Sequence, residues 1–227
     1  MTLPRPALLI AAALLLAAPA AAQTPAPAAG APPAPAVVAP PAPATPAPAP
    51  ALVRLTTPLG VIAIEVDRAR APVTAANFLR YVDGKRLDGT AFYRAYRQGP
   101  EAGLIQFGTR GDPKRLLPKI AHEPTSATGL SHTDGAISMA RGAPGTADGD
   151  FFIIVGATMT GLDANPAAVG DNPGYAVFGR EVEGMDVVKA ILAAPTSPTE
   201  GEGVMRGQML GPPVPVTSAR RVEQPAP

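Results

Sequence analysis

Val53-Arg-Leu-Thr-Thr-Pro-Leu-Gly-Val-Ile-Ala-Ile-Glu-Val66 carries two short apolar runs, at 53–56 and 61–66, on either side of Thr57-Pro-Leu-Gly60. β-branched residues in short runs, divided by a proline–glycine turn, read as two strands joined by a tight hairpin. Downstream of it, Ala75, Phe78, Leu79 and Val82 fall at i, i+3, i+4 and i+7, so a helix over about 73–83 presents one apolar face. Gly84 stands where a left-handed cap is expected to end it. Further strands are expected at 91–95, 104–107, 136–139, 151–155 and 176–182. A second helix covers about 185–194, with Met185, Val188, Ile191 and Leu192 on one face, and a last strand runs over 214–222. Eight short strands, glycine- and proline-rich joints and two helices predict a mainly β fold, a closed eight-stranded antiparallel β-barrel plugged by the helices. Closure removes exposed strand edges. Periodicity alone leaves a β-sandwich as the competitor.

The flanks are of a different kind. Arg5, an apolar run over 7–18 and Ala20-Ala21-Ala22 follow the order of a secretory signal peptide over 1–22, with cleavage after Ala22. The run of about twelve apolar residues is short of the roughly 20 that a membrane span needs. Residues 23–50 are a linker, with eleven prolines between Thr24 and Pro50. Proline removes donors and alanine offers little to bury, so an extended spacer is expected, roughly 80 Å long at about 3.1 Å per residue. Residues 51–223 make the folded domain, and 224–227 a loose tail. The expected product is a periplasmic monomer with no stable membrane insertion after processing.

Several kinds of chemistry are disfavoured. A net charge of +1 with 16% charged residues gives no field to recruit nucleic acid. With no cysteine there is no thiol nucleophile, thiolate metal site or lipid-modified N-terminal cysteine. His122 and His132 are the only histidines, so no metal and no cofactor are expected. Asp148-Gly-Asp150 lacks the glutamate that completes a calcium loop. The serines have no glycine-flanked nucleophile setting and no evident histidine partner, so hydrolysis is not supported.

Particular residues, taken in order, go further. Ala71-Pro-Val-Thr74 with Asn77-Phe78 and Tyr81, Thr90-Ala-Phe-Tyr-Arg94, Leu104-Ile-Gln106, Gly135-Ala-Ile-Ser-Met-Ala140, Asp150-Phe-Phe-Ile153, Gly174-Tyr-Ala-Val-Phe-Gly179 and Glu183-Gly-Met-Asp-Val187 together resemble the cyclophilin family. The likeness spans nearly all of 51–222. It implies an eight-stranded barrel with two helices and a peptidyl-prolyl cis/trans isomerase that assists the folding of exported proteins. A weakly active or inactive module that grips proline-containing polypeptides as a chaperone or scaffold is the alternative. A barrel that only displays a surface in the cell envelope is the third reading. The resemblance makes Arg94 the catalytic donor and puts Gln106 beside it. Leu104, Phe152 and Leu162 become walls of a proline pocket, and Ala140 and Arg141 backbone that pairs with an extended peptide. It makes His132 structural.

Rotating the bond before proline requires breaking amide resonance, a barrier of roughly 18–20 kcal/mol, between end states of similar energy. No nucleophile or metal is needed. A dry apolar pocket and a donor aimed at the twisted imide suffice. Against the family pattern, the connection over 96–103 is longer, and Gly103 stands where a pocket phenylalanine is expected. Asp150 replaces a glutamine, Gly161 an aromatic residue, and Tyr175 a histidine. Gly103 is therefore expected to open the pocket wall, with Tyr93, Tyr96 or Phe107 as substitutes. Asp150 is expected to compete with substrate for the Arg94 guanidinium.

Overall fold

The computed structural model describes residues 47–170 and 172–222. The expected signal peptide, all but the last residues of the linker and the tail lie outside the described residues. Among the described residues, ten strands form one antiparallel sheet. They are β1 (Ala51–Thr57), β2 (Gly60–Val66), β3 (Thr90–Arg97), β4 (Gly103–Gly108), β5 (Ala136–Met139), β6 (Asp150–Val155), β7 (Ala176–Glu183), β8 (Thr196–Ser197), β9 (Met209–Val216) and β10 (Ser218–Val222). The helices are α1 (Pro72–Asp83), the single turn α2 (Thr125–Thr128) and α3 (Met185–Ala193).

The sheet runs β10-β1-β2-β7-β5-β6-β4-β3-β9-β8, so the ladder is open at β10 and β8. A closed eight-stranded barrel with two helices is thus corrected to an open ten-stranded sheet with three. The strand expected over 214–222 is really two. The Thr217 amide donates to the Thr56 carbonyl at 2.8 Å, and the chain crosses there from β3, which β9 pairs, to β1, which β10 pairs. The start of β9 is illegible in the sequence because Pro212, Pro213 and Pro215 read as strand breakers.

Alternation along β4 and β6 gives the sheet two apolar faces. Ile105, Phe107, Phe151 and Ile153 point into the main core, where Phe78, Phe107 and Phe178 surround Phe151 at centroid distances of 5.0, 5.5 and 6.0 Å. Fully burying each such ring contributes about 1.5–3 kcal/mol. Leu104, Phe152 and Ile154 point the other way and, with Val177 and Met159, make a separate apolar cluster.

The helices are held by distant partners. α1 begins at Pro72 without a side-chain cap of its own; the Glu123 carboxylate accepts from the Val73 and Thr74 amides at 3.0 and 2.6 Å. A carboxylate there satisfies two orphan donors and complements the positive helix end. Gly84 is not a left-handed cap: its φ is −76°, and Lys85 takes the positive φ instead. At the end of α3, the Arg97 guanidinium donates to the carbonyls of Leu192, at 2.7 Å, and Ala194.

Candidate active site

The site grows from one cross-strand row. Arg94 on β3 lies opposite Gln106 on β4, Gln106 opposite Phe152 on β6, and Phe152 opposite Ser138 on β5. A β-bulge between Phe92 and Arg94 leaves Tyr93 outside the regular pairing. Such a bulge re-aims side chains, and here both Tyr93 and Arg94 reach Gln106. Arg94 Nη1 donates to Gln106 Oε1 at 2.9 Å, and Gln106 Nε2 donates to the Tyr93 hydroxyl at 2.7 Å. Arg94 Nε donates to Gln208 Oε1 at 2.8 Å, and Gln208 Nε2 in turn holds the Val204 carbonyl at 2.6 Å.

All nine residues singled out in the sequence, Arg94, Leu104, Gln106, Ala140, Arg141, Asp150, Phe152, Leu162 and Tyr175, line one groove of about 700 Å³. That volume suits a short peptide segment. Leu104, Phe152 and Leu162 supply the apolar wall, with Tyr175 edge-on to Phe152 at 5.5 Å. Arg141 lies 4.8 Å over the Tyr175 ring and donates to the Gly174 carbonyl, fixing that corner. The Ala140 amide already donates to the Asp150 carbonyl at 2.9 Å, so a bound strand does not pair through that group. Sequence reasoning misses Val204, Met205 and Gln208 on the groove wall. Gln208 lies 114 residues from Arg94 and carries no local signal.

Burial dominates the electrostatics. It lowers the pKa of the Arg94 guanidinium, which nonetheless keeps its charge at neutral pH. It raises the Asp150 carboxyl, with Asp148 adding to the rise while the Arg110 amide, the Tyr93 hydroxyl and the Arg110 guanidinium oppose it. It pushes the Tyr93 hydroxyl far up, aided by Asp150.

Two expectations about the departures are overturned. Asp150 does not take the Arg94 guanidinium. Arg94 bonds to Gln106 and Gln208, while Asp150 Oδ1 accepts from the Arg110 amide at 2.9 Å. Gly103 does not open the wall either. It sits in the β3–β4 ladder opposite Arg97, where an added Cβ would run into the Tyr96 carbonyl oxygen. Tyr96 lines the groove itself, whereas Phe107 is wholly in the core. Gly161 faces open space.

One serine does have a histidine partner. His132 Nε2 meets Ser138 Oγ at 2.9 Å, and His132 Nδ1 meets Asp163 Oδ1 at 2.6 Å. Ser138 and His132 are both fully buried, so no substrate reaches the hydroxyl. Burial lowers the His132 pKa against the pull of Asp163, keeping the ring neutral. Asp163 also accepts from the His132 amide at 3.0 Å and from the Ser131 hydroxyl, which anchors the chain beside Leu162.

Residues 52–209 match the family model for cyclophilin type peptidyl-prolyl cis-trans isomerase/CLD. The chain belongs to the cyclophilin-type peptidyl-prolyl cis-trans isomerases. It is 37% identical over 153 residues to a peptidyl-prolyl cis-trans isomerase of Acinetobacter baylyi, covering 66% of this chain and 76% of that one. It is 36% identical over 155 residues to another from Streptomyces antibioticus, covering 66% and 87%. A crystal structure of a Cryptosporidium parvum cyclophilin has the same fold, with a TM-score of 0.58 and 18% identity over 78% of this chain and 99% of that one. A structure of the Cryptosporidium protein in the presence of the dipeptide Ala-Pro matches with a TM-score of 0.59 at 17% identity, over 76% and 99%. This cyclophilin is therefore an isomerase, with its Arg94, Gln106 and Phe152 in one row across three strands.

Proposed function

We propose that the groove binds X-Pro segments of exported polypeptides and speeds their rotation, assisting folding, with Arg94 as the catalytic donor. The carrying observation is the way Arg94 is held. Two glutamines fix Nε and Nη1, while Nη2 makes no hydrogen bond within the described residues and the guanidinium lines the groove beside its apolar wall of Leu104, Phe152 and Leu162. A fixed charge-bearing donor in a poorly hydrated site stabilises the pyramidal imide nitrogen of the twisted bond more than the planar ground state. Phe152, Leu104 and Leu162 take the proline ring. The binding-only alternative rests on Gly103 and Asp150, and both have other structural reasons.

The test is proline isomerisation in a short peptide. Arg94→Ala is expected to cost roughly 2–4 kcal/mol of barrier stabilisation, the scale of one lost oxyanion-type donor. Arg94→Lys is expected to restore little, because an ammonium does not reproduce the planar fork. Full turnover in a folded Arg94→Ala protein would remove Arg94 from the mechanism.

Export to the periplasm is part of the same proposal and rests on Arg5, the apolar run and Ala20-Ala21-Ala22. Mass spectrometry of the exported protein is expected to find an N-terminus near Gln23. A chain retaining Met1 in a membrane fraction would contradict it.

A further inference from the structure

Arg94 is gripped at two of its three guanidinium nitrogens by groups that carry no charge. Gln106 Oε1 accepts from Nη1 at 2.9 Å, and Gln208 Oε1 accepts from Nε at 2.8 Å. A side-chain amide has one accepting oxygen and one nitrogen that only donates. Each glutamine therefore turns its oxygen to the guanidinium and its nitrogen elsewhere, Gln106 to the Tyr93 hydroxyl at 2.7 Å and Gln208 to the Val204 carbonyl at 2.6 Å. Asp148 and Asp150 line the same groove, yet among the described residues no carboxylate bonds to Arg94. Gln208 is set in place by backbone. It directly precedes β9, whose Met209 pairs with Arg94. Its carbonyl accepts from the Ala95 amide at 2.9 Å, and its amide donates to the Met205 carbonyl at 3.1 Å. Nε and Nη2 share one edge of the planar guanidinium fork, and Gln208 stands on that edge. A carboxylate there would accept from both N–H groups at once. The glutamine cannot, because its second polar atom is a donor.

We propose that Gln208 is a positioning residue whose neutral, single-acceptor side chain orients the Arg94 guanidinium through Nε and leaves Nη2, with its charge uncompensated by any carboxylate, to the imide of the substrate. The proposal rests on the reading of Arg94 as the catalytic donor. Residue type then matters as much as the bond itself. Gln208→Glu would hold Arg94 more tightly and take the donor away from the substrate. The groove wall around Gln208 does not depend on its side chain. The turn over 200–207 is closed by backbone, with the Gly207 amide donating to the Glu200 carbonyl at 2.9 Å and the Arg206 amide to the Gly203 carbonyl at 3.2 Å. Substitution at Gln208 therefore acts on the orientation of Arg94, and the proline pocket of Leu104, Phe152 and Leu162 stays as it is.

The full chain provides the test, with kcat and KM for a short X-Pro peptide measured in the wild type, Gln208→Leu and Gln208→Glu, each shown to be folded by thermal unfolding. Gln208→Leu leaves Nε without its acceptor, and kcat is expected to fall roughly tenfold, the scale of one lost hydrogen bond to a charged group. Gln208→Glu is expected to lower kcat at least as far, although it restores an acceptor, and KM should stay nearly flat in both. The nitrogen-bound proton resonances of Arg94 supply a readout besides activity. The Nη2 signal is expected to shift when peptide is added to the wild type and to stay still in Gln208→Glu, where the carboxylate already holds it. A kcat for Gln208→Glu between those of Gln208→Leu and the wild type would mean that any acceptor serves, and would overturn the proposal. So would full turnover in Gln208→Leu, or a wild-type Nη2 signal that saturating peptide does not move. Any of these beside an inactive Arg94→Ala leaves the catalytic donor standing. An active Arg94→Ala would overturn both readings.

Discussion

Two hydrogen-bonded chains end on the same cross-strand row and differ in what can reach them. On one side, Tyr93 and Gln106, together with Gln208, lead to Arg94, which is partly exposed and lines the groove. On the other, Asp163 and His132 lead to Ser138, which is fully buried opposite Phe152. By residue type the Ser138 chain is the closer match to catalytic machinery, because a serine, a histidine and an aspartate stand in hydrogen-bonding order. It has no access for a substrate, and His132 lies parallel to Phe152 with centroids 5.8 Å apart, supporting the groove floor from beneath. Access separates the two chains, since the groove reaches Arg94 and Ser138 is fully buried, and residue type does not.

Breaking the structural chain should have the largest effect on stability. Asp163→Ala leaves the His132 ring, the His132 amide and the Ser131 hydroxyl without their acceptor. Each buried polar group left unpaired costs about 1–3 kcal/mol, so denaturant unfolding is expected to show a loss of roughly 2–4 kcal/mol. Leu162 is adjacent to Asp163, so KM should rise more than kcat falls. A neutral Asp163→Ala would mean that the buried chain does not brace the groove.

Gly103→Ala probes the catalytic side's frame. Its new Cβ meets backbone, the Tyr96 carbonyl, so β3 and β4 must part. A loss of about 1–3 kcal/mol is expected from overpacking, with reduced activity because Tyr96 moves. Unchanged stability would restore the idea of an open pocket wall.

The two sides also differ in the sign of their pH dependence. His132 has a folded pKa below its unfolded value near 6.5, so its contribution to stability is complete above that pH. It is lost as pH falls from there toward the folded value. Asp150 is raised, so its contribution is complete below the unfolded value near 3.9 and is lost as pH rises through the folded one. Thermal unfolding of Asp150→Asn at neutral pH should therefore show stability equal to or above the wild type. A marked drop would mean that the carboxylate is a structural clamp. The smallest effect is expected at Gly161, which faces open space: Gly161→Phe should change stability by no more than about 0.5 kcal/mol.

Much of this arrangement is legible in the sequence, and the gaps have physical causes. Alternation in Leu104-Ile-Gln-Phe107 and in Phe151-Phe-Ile-Ile154 encodes both faces of the sheet, so the inner core and the groove wall can be read together. Residues such as Arg94 and Gln106 can be placed together because they pair across adjacent strands. Gln208 cannot, since its partner comes from far along the chain and it follows a short 3₁₀ turn over Gly203–Met205 with no periodic signal. The His132–Ser138 contact escapes notice because its meaning lies in burial, which spacing does not reveal. In the sequence, Gly103 and Asp150 read as defects in a pocket. The close approach of the Tyr96 carbonyl to Gly103 and of the Arg110 amide to Asp150 are three-dimensional facts with no one-dimensional trace.

The most direct test sets the ends of the two chains against each other, measuring kcat/KM for a short X-Pro peptide in Arg94→Ala and Ser138→Ala beside their unfolding free energies. The account requires Arg94→Ala to lose most of its turnover with stability nearly intact, and Ser138→Ala to lose roughly 1–3 kcal/mol of stability, from the stranded His132 nitrogen, with turnover nearly intact. Loss of turnover in a folded Ser138→Ala protein, together with an active Arg94→Ala, would contradict it.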